Sequence, residues 1–242
     1  MDIEYTMNLR TDGEKMARAA ARDLDAHVPT CPEWNVAKLV IHTGQHHRWV
    51  ADAVRGGGTP PERPGKPGLR GDELIEWFRA GWQELADLLD DSDDETPAWS
   101  WSGDNRVGFW RRRTTLETLV HRWDAENATG TGTSLDPELS SDGIDEMLFV
   151  MLATDDSTYK GKKGVIEVGP TDAPGAWVLP LEEGTKAIAS RATGDGSPDG
   201  ATARITGPAE SLLLFLWGRL GPEAVTIDGD RALFDDFRSW AE

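Results

Sequence analysis

The first ~150 residues carry apolar positions with a helical period. The run GEKMARAAARDLDAH, from Thr11 to about His27, is rich in Ala and other good helix formers, and Pro29 ends it. Thr30-Cys31-Pro32-Glu33 then reads as a start signal: Thr30 as cap, Glu33 completing a capping box, Pro32 tolerated in the first turn. Behind it Val36, Leu39, Val40, Thr43, His47 and Val50 recur at helical spacing until Gly56-Gly57-Gly58. After the Gly/Pro loop 56–71, a third helix is expected from about Asp72 to Leu89, with Leu74, Trp77, Phe78, Leu85 and Leu88 on its apolar side. A fourth is expected from about Thr114 to Thr129, closed by Gly130 as a left-handed cap. A fifth, Pro137 to about Thr154, leads out of what the loops suggest is an antiparallel bundle.

Beyond Asp155 the period shortens. Val165–Val168, Ala176–Leu181 and Ala201–Thr206 are β-type runs separated by turns such as TGDGSPDGA. PAESLLLFLWGRL reads as a helix, AVTIDGD as a strand and turn, and RALFDDFRSWAE as a terminal helix. The expected class is therefore α+β: residues 1–154 a helical bundle, residues 155–242 a small α+β domain.

Charge narrows the function classes. Across 242 residues, 25 Lys+Arg against 43 Asp+Glu give a net charge of −18, which argues against nucleic acid and anionic membrane surfaces. No run approaches the roughly 20 apolar residues of a membrane span, and MDIEYTMNLRTDGEK does not read as a signal peptide. One cysteine, Cys31, excludes an internal disulfide framework, so a cytoplasmic address is expected. The 11 Trp are expected partly in the core and partly lining a cavity.

The segment RRRTTLETLVHRWDAENATG carries the candidate chemistry. Glu117, His121 and Asp124 stand at i, i+4 and i+7, on one helical face. Glu and His one turn apart suit a divalent metal, zinc first, and Asp124 is placed to orient a ligand or move a proton. A third ligand is required; His42 on the second helix is the best candidate, His46 its substitute, with His27 and His47 behind them. The bland alternatives are a solvated Glu-x-x-x-His contact, a satisfied buried histidine, and pairing of Asp124 with Arg122 or Arg113. Cys31 reads as a small buried residue of the capping turn rather than a nucleophile. Arg111-Arg112-Arg113 reads as a solvated run at a helix start more readily than as a carboxylate clamp. The GGG run lacks a phosphate-loop context, and no Gly-x-Ser-x-Gly elbow is present.

Three segments together resemble one family. VPTCPEWNVAKLVIHTGQHHRW, ETLVHRWDAENATG, and GPAESLLLFLWGRL followed by VTIDGDRALFDDF are similar, in order, to the mycothiol-dependent maleylpyruvate isomerases. The resemblance implies a DinB-like four-helix bundle holding a divalent metal, usually zinc, ahead of a small α+β domain. It implies His42, Glu117 and His121 as ligands, Asp124 as a catalytic assistant and Arg219 as an arginine supplied to the site. Arg113 and Trp123 are expected to hold the cofactor, Arg113 also helping Arg219 to clamp a carboxylate. The implied partners are mycothiol, as an external thiol that the metal activates, and an electrophilic small molecule. The expected reaction is cis–trans isomerisation or S-transfer. Two other classes stay open: a metal-dependent hydrolase using bound water, and a non-catalytic ligand-binding regulator.

Overall fold

The computed structural model describes residues 3–154, 157–192 and 200–241. They form two compact units, residues 1–133 and 134–242. No helix among the described residues is long and apolar enough to cross a membrane.

The first unit holds four helices: α1 (Tyr5–Ala20), α2 (Val36–Gly56), α3 (Gly71–Asp90) and α4 (Val107–Thr129). Helix α1 packs on α3 and α4, and α2 on the same two, around a core that includes Leu9, Met16, Leu39, Val40, Phe78, Leu85 and Leu119. Helix α1 starts earlier and stops sooner than its Ala-rich run suggests. Past Ala20 the Asp23 carboxylate accepts the amides of Asp25 and Ala26, a local turn that competes with further helix. Thr30 does not cap α2. Asn35 does, accepting from the Lys38 amide at 3.0 Å, because the Thr30 hydroxyl is drawn to a carboxylate on α4. Helix α4 begins two turns before the expected Thr114, so the Arg run lies inside it rather than at its start. Gly130 closes α4 with φ 67°, as its position implies.

Helices α2 and α3 meet closely at Gly44. A Cβ there would overlap the Trp77 ring, and Arg48 locks the contact from the other side, its Nη1 donating to Gly44 O at 3.0 Å and its Nη2 to Trp77 O at 2.6 Å. Gly44→Ala gains helix propensity, about 1 kcal/mol, yet must push the ring aside. A net loss of about 1–2 kcal/mol is expected in urea unfolding, and an unchanged midpoint would show that the ring moves freely.

The second unit starts with α5 (Pro137–Glu146), capped by Asp136 on the Leu139 amide; it continues through a π-helical turn (Met147–Met151) into α6 (Leu152–Thr154). This unit begins ahead of the expected 154/155 boundary because α5 packs on α7 (Ala209–Leu216), and its Asp145 accepts from Trp177 Nε1 at 2.9 Å and from Arg191. Five strands, β1 (Gly164–Pro170), β2 (Trp177–Leu181), β3 (Ser190–Arg191), β4 (Ala203–Gly207) and β5 (Thr226–Gly229), form a sheet ordered β3-β2-β1-β4-β5. β1 and β4 run parallel, in register from Ile166 opposite Ala203; the other pairs are antiparallel. Ile166, Val168, Leu179, Ala203 and Ile205 alternate into the core with Leu212, Leu213 and Phe215 of α7 and Leu233 and Phe234 of α8 (Arg231–Ala241). The strand β3 has no clear signature in the chain, being two residues long, and residues 193–199 of the expected TGDGSPDGA turn lie outside the described residues. The architecture is α+β: four helices, then a smaller unit with a mixed sheet.

Candidate metal centre

The site lies where α2 faces α4 in the first unit. Residues four apart on α4 bring Glu117 and His121 to one face, with His121 Nε2 3.1 Å from Glu117 Oε1. From α2, His42 Nε2 reaches the same oxygen at 3.4 Å. The two imidazoles meet edge to face at 5.1 Å between centroids. Among the described residues, His42, Glu117 and His121 thus offer two imidazole nitrogens and a carboxylate oxygen within 4.8 Å of one another. This nitrogen and oxygen set is one that zinc and its first-row neighbours accept.

The outer contacts are built from the turn before α2 and the last half of α4. Asp124, wholly buried, accepts from His121 Nδ1 at 3.0 Å through one oxygen and from the Thr30 hydroxyl at 2.7 Å through the other. A carboxylate on Nδ1 fixes the proton there and turns Nε2 toward Glu117. Trp34, four residues after Thr30, packs on His42 at 5.0 Å. Arg113, 4% exposed, pairs with the second oxygen of Glu117. Burial alone would raise the Glu117 pKa, but Arg113 and His121 outweigh it and hold the carboxyl well below its ordinary range. Burial would likewise lower His121, yet Glu117 and Asp124 carry it up to about 9.

The remaining sequence candidates are placed as follows. Asp124 faces His121 and Thr30, and Arg122 is buried against Asp12 and Glu126. Arg113 is not a solvated member of a charge run but the cation that neutralises Glu117. Trp123, half-buried, follows His121 by about 200° around the helix, off the face that carries Glu117 and His121. Arg219 belongs to the second unit, where its Nη1 donates to Trp217 O at 2.7 Å; its role rests on the resemblance. His47 is buried, its Nε2 2.9 Å from the Thr118 hydroxyl and its Nδ1 without a hydrogen-bond partner, and burial pushes its pKa well below the ordinary value. His27 lies 3.1 Å from Pro32 O. His46 is not among the three converging donors; its ring lies 6.3 Å from Trp110 and 6.4 Å from Trp49, and burial pushes it down to about 4. Cys31 is partly buried and packs against the helical core. Thr30 and Trp34 are site residues that the sequence did not single out, although both stand in the Thr-Cys-Pro-Glu-Trp turn, where Thr30 reads as a helix cap.

Comparison with known proteins bears on the whole chain. A solved structure described as the crystal structure of a mycothiol-dependent maleylpyruvate isomerase, a histidine-to-alanine mutant, superposes with a TM-score of 0.62 over 95% of this chain and 94% of that one. At 12% identity that likeness shows the fold. No curated protein sequence matches. Two family profiles do. The mycothiol maleylpyruvate isomerase N-terminal domain covers residues 10–126, which contain His42, Glu117, His121 and Asp124, and the C-terminal domain of the same family covers residues 138–236. With both halves matched in order, and the donor cluster inside the first, the chain belongs to the mycothiol maleylpyruvate isomerase family.

Proposed function

We propose that this protein is a metal-dependent enzyme that uses a low-molecular-weight thiol, mycothiol, against an electrophilic small molecule, by cis–trans isomerisation or by S-transfer. The observation that carries the reading is the convergence of His42 Nε2 and His121 Nε2 on Glu117 Oε1, with His121 held from behind by Asp124. The family supplies the thiol and the small-molecule class.

His42, Glu117 and His121 would hold a divalent cation, which when bound lowers the pKa of a thiol presented to it. The protein's own groups do the rest. Asp124 keeps the proton on His121 Nδ1 and leaves Nε2 as donor; with both oxygens engaged and no exposure, it acts through His121 and is a positioning residue. Arg113 keeps Glu117 ionised. Cys31 is the chain's only thiol and packs into the core, so the reacting thiol comes from outside.

Metal analysis of the purified protein, followed by thiol-dependent turnover assays before and after complete chelation, tests this. About one divalent ion per chain and turnover that needs both metal and thiol are expected. Turnover without thiol would point to metal-dependent hydrolysis, and tight ligand binding without turnover to a regulator. Activity that survives full metal removal would overturn the proposal.

A further inference from the structure

The loop between α2 and α3 is not a loose connection. Its segment Pro60-Pro61-Glu62-Arg63-Pro64 is tied to α2 on either side of Arg63: Trp49 Nε1 donates to Pro61 O at 3.3 Å and Gln45 Nε2 to Pro64 O at 2.6 Å. Prolines at 60, 61 and 64 reduce the freedom the loop must lose on ordering. The two anchors set the Arg63 guanidinium over the Trp49 ring at 4.8 Å from its centroid. Beneath lies a pocket of about 140 Å³ walled by His42, Gln45, His46, Trp49, Arg63 and Pro64. His42 is shared with the donor cluster, so the pocket opens beside it.

Arg63 differs from the other arginines of this region. Arg113 is committed to Glu117, Arg111 to Asp94, and Arg48 to two backbone carbonyls. Arg63 has no carboxylate partner among the described residues. A second polar group stands in the same wall: His46 Nε2 is buried without a hydrogen-bond partner. A chain of net charge −18 repels small anions at long range, so an anion reaches the site only where a local cation awaits it.

We propose that Arg63, held on the face of Trp49, is the anion-recognising residue of the pocket beside His42, and that it takes a carboxylate of the electrophilic substrate. This deepens the function proposed above and rests on it. The guanidinium offers paired donors to the planar carboxylate, and the Trp49 ring beneath it holds the guanidinium in place.

Binding of maleate and of its uncharged dimethyl ester to the full chain, read by tryptophan fluorescence and by calorimetry, tests the assignment. Arg63→Gln is expected to weaken maleate at least about tenfold while leaving ester affinity and metal content as they are; Arg63→Lys retains part of the affinity as a point charge. In turnover of an anionic electrophile the loss falls mainly on KM. Maleate affinity within twofold of the parent, equal loss of ester and maleate, or no maleate binding by the parent would each overturn the proposal. Failure of the metal and thiol reading is seen separately, in metal content and in thiol dependence.

Discussion

Replacing His121 by alanine is expected to abolish metal binding and activity together, with the four helices still formed. The substitution removes one of three donors that converge within 4.8 Å. It also leaves Asp124, wholly buried, with the Thr30 hydroxyl but without the imidazole it accepts from. The affinity loss should exceed the about 10–100-fold that follows from damaging only an outer contact. Asp124→Asn supplies that comparison. An amide can present its NH2 to His121 Nδ1 and so favours the wrong tautomer, while every donor atom remains in place. Metal affinity is expected to fall about 10–100-fold and activity to return at high metal concentration, a rescue that His121→Ala should not show. Competition with a chromogenic chelator measures both, and circular dichroism confirms that helix content is kept. Equal and unrescued losses would mean that Asp124 does more than position His121; full metal content in His121→Ala would remove the imidazole from the centre altogether.

The helical half of the fold was legible because caps and apolar stripes act locally. Gly130 ends α4 where its left-handed conformation is needed, and Pro137 opens α5 where the sequence starts that helix. The first two turns of α4 were not legible. Arg106 gives no side-chain cap, and the stretch holds a glycine and aromatics of modest propensity; burial of Val107, Phe109 and Trp110 holds it helical. The site divides in the same way. Glu117 and His121 share a helix, so their spacing alone puts them together. Periodicity put His42 ahead of His46, one turn apart on another helix, but could not exclude the second; the outcome depends on how α2 is rotated against α4, which long-range packing decides, and the family resemblance also pointed to His42. Thr30 shows one signal with two outcomes: a hydroxyl before a helix suits a cap, but a buried carboxylate from α4 competes for it and wins. Arg63 was invisible because its position depends on where Pro61 and Pro64 carbonyls meet α2.

Trp110→Ala is expected to be the most destabilising single change in the first unit. The ring is fully buried, stacks edge to face with Trp49 at 5.4 Å and Phe109 at 5.1 Å, and donates Nε1 to Trp99 O at 2.7 Å. Its removal leaves a large cavity and an unpaired carbonyl, at a cost of about 3–5 kcal/mol and a fall in Tm of roughly 10 °C or more. Trp101, 38% exposed and in contact with the same Phe109 at 5.7 Å, is the control: Trp101→Ala should cost well under half as much. The difference has a functional side. Trp49 makes edge-to-face contacts with Trp110 and Trp99 and carries Arg63 over its ring, so a cavity at position 110 lets the wall of the pocket move without touching any metal donor. Thermal melts of the two variants rank the stability effects. Maleate and metal titrations of Trp110→Ala, run below its midpoint, are expected to show weakened maleate with metal affinity close to the parent's. Equal melts for the two variants would mean that the tryptophan cluster relaxes around the gap; parallel loss of metal would mean that it also sets the rotation of α2 on which His42 depends.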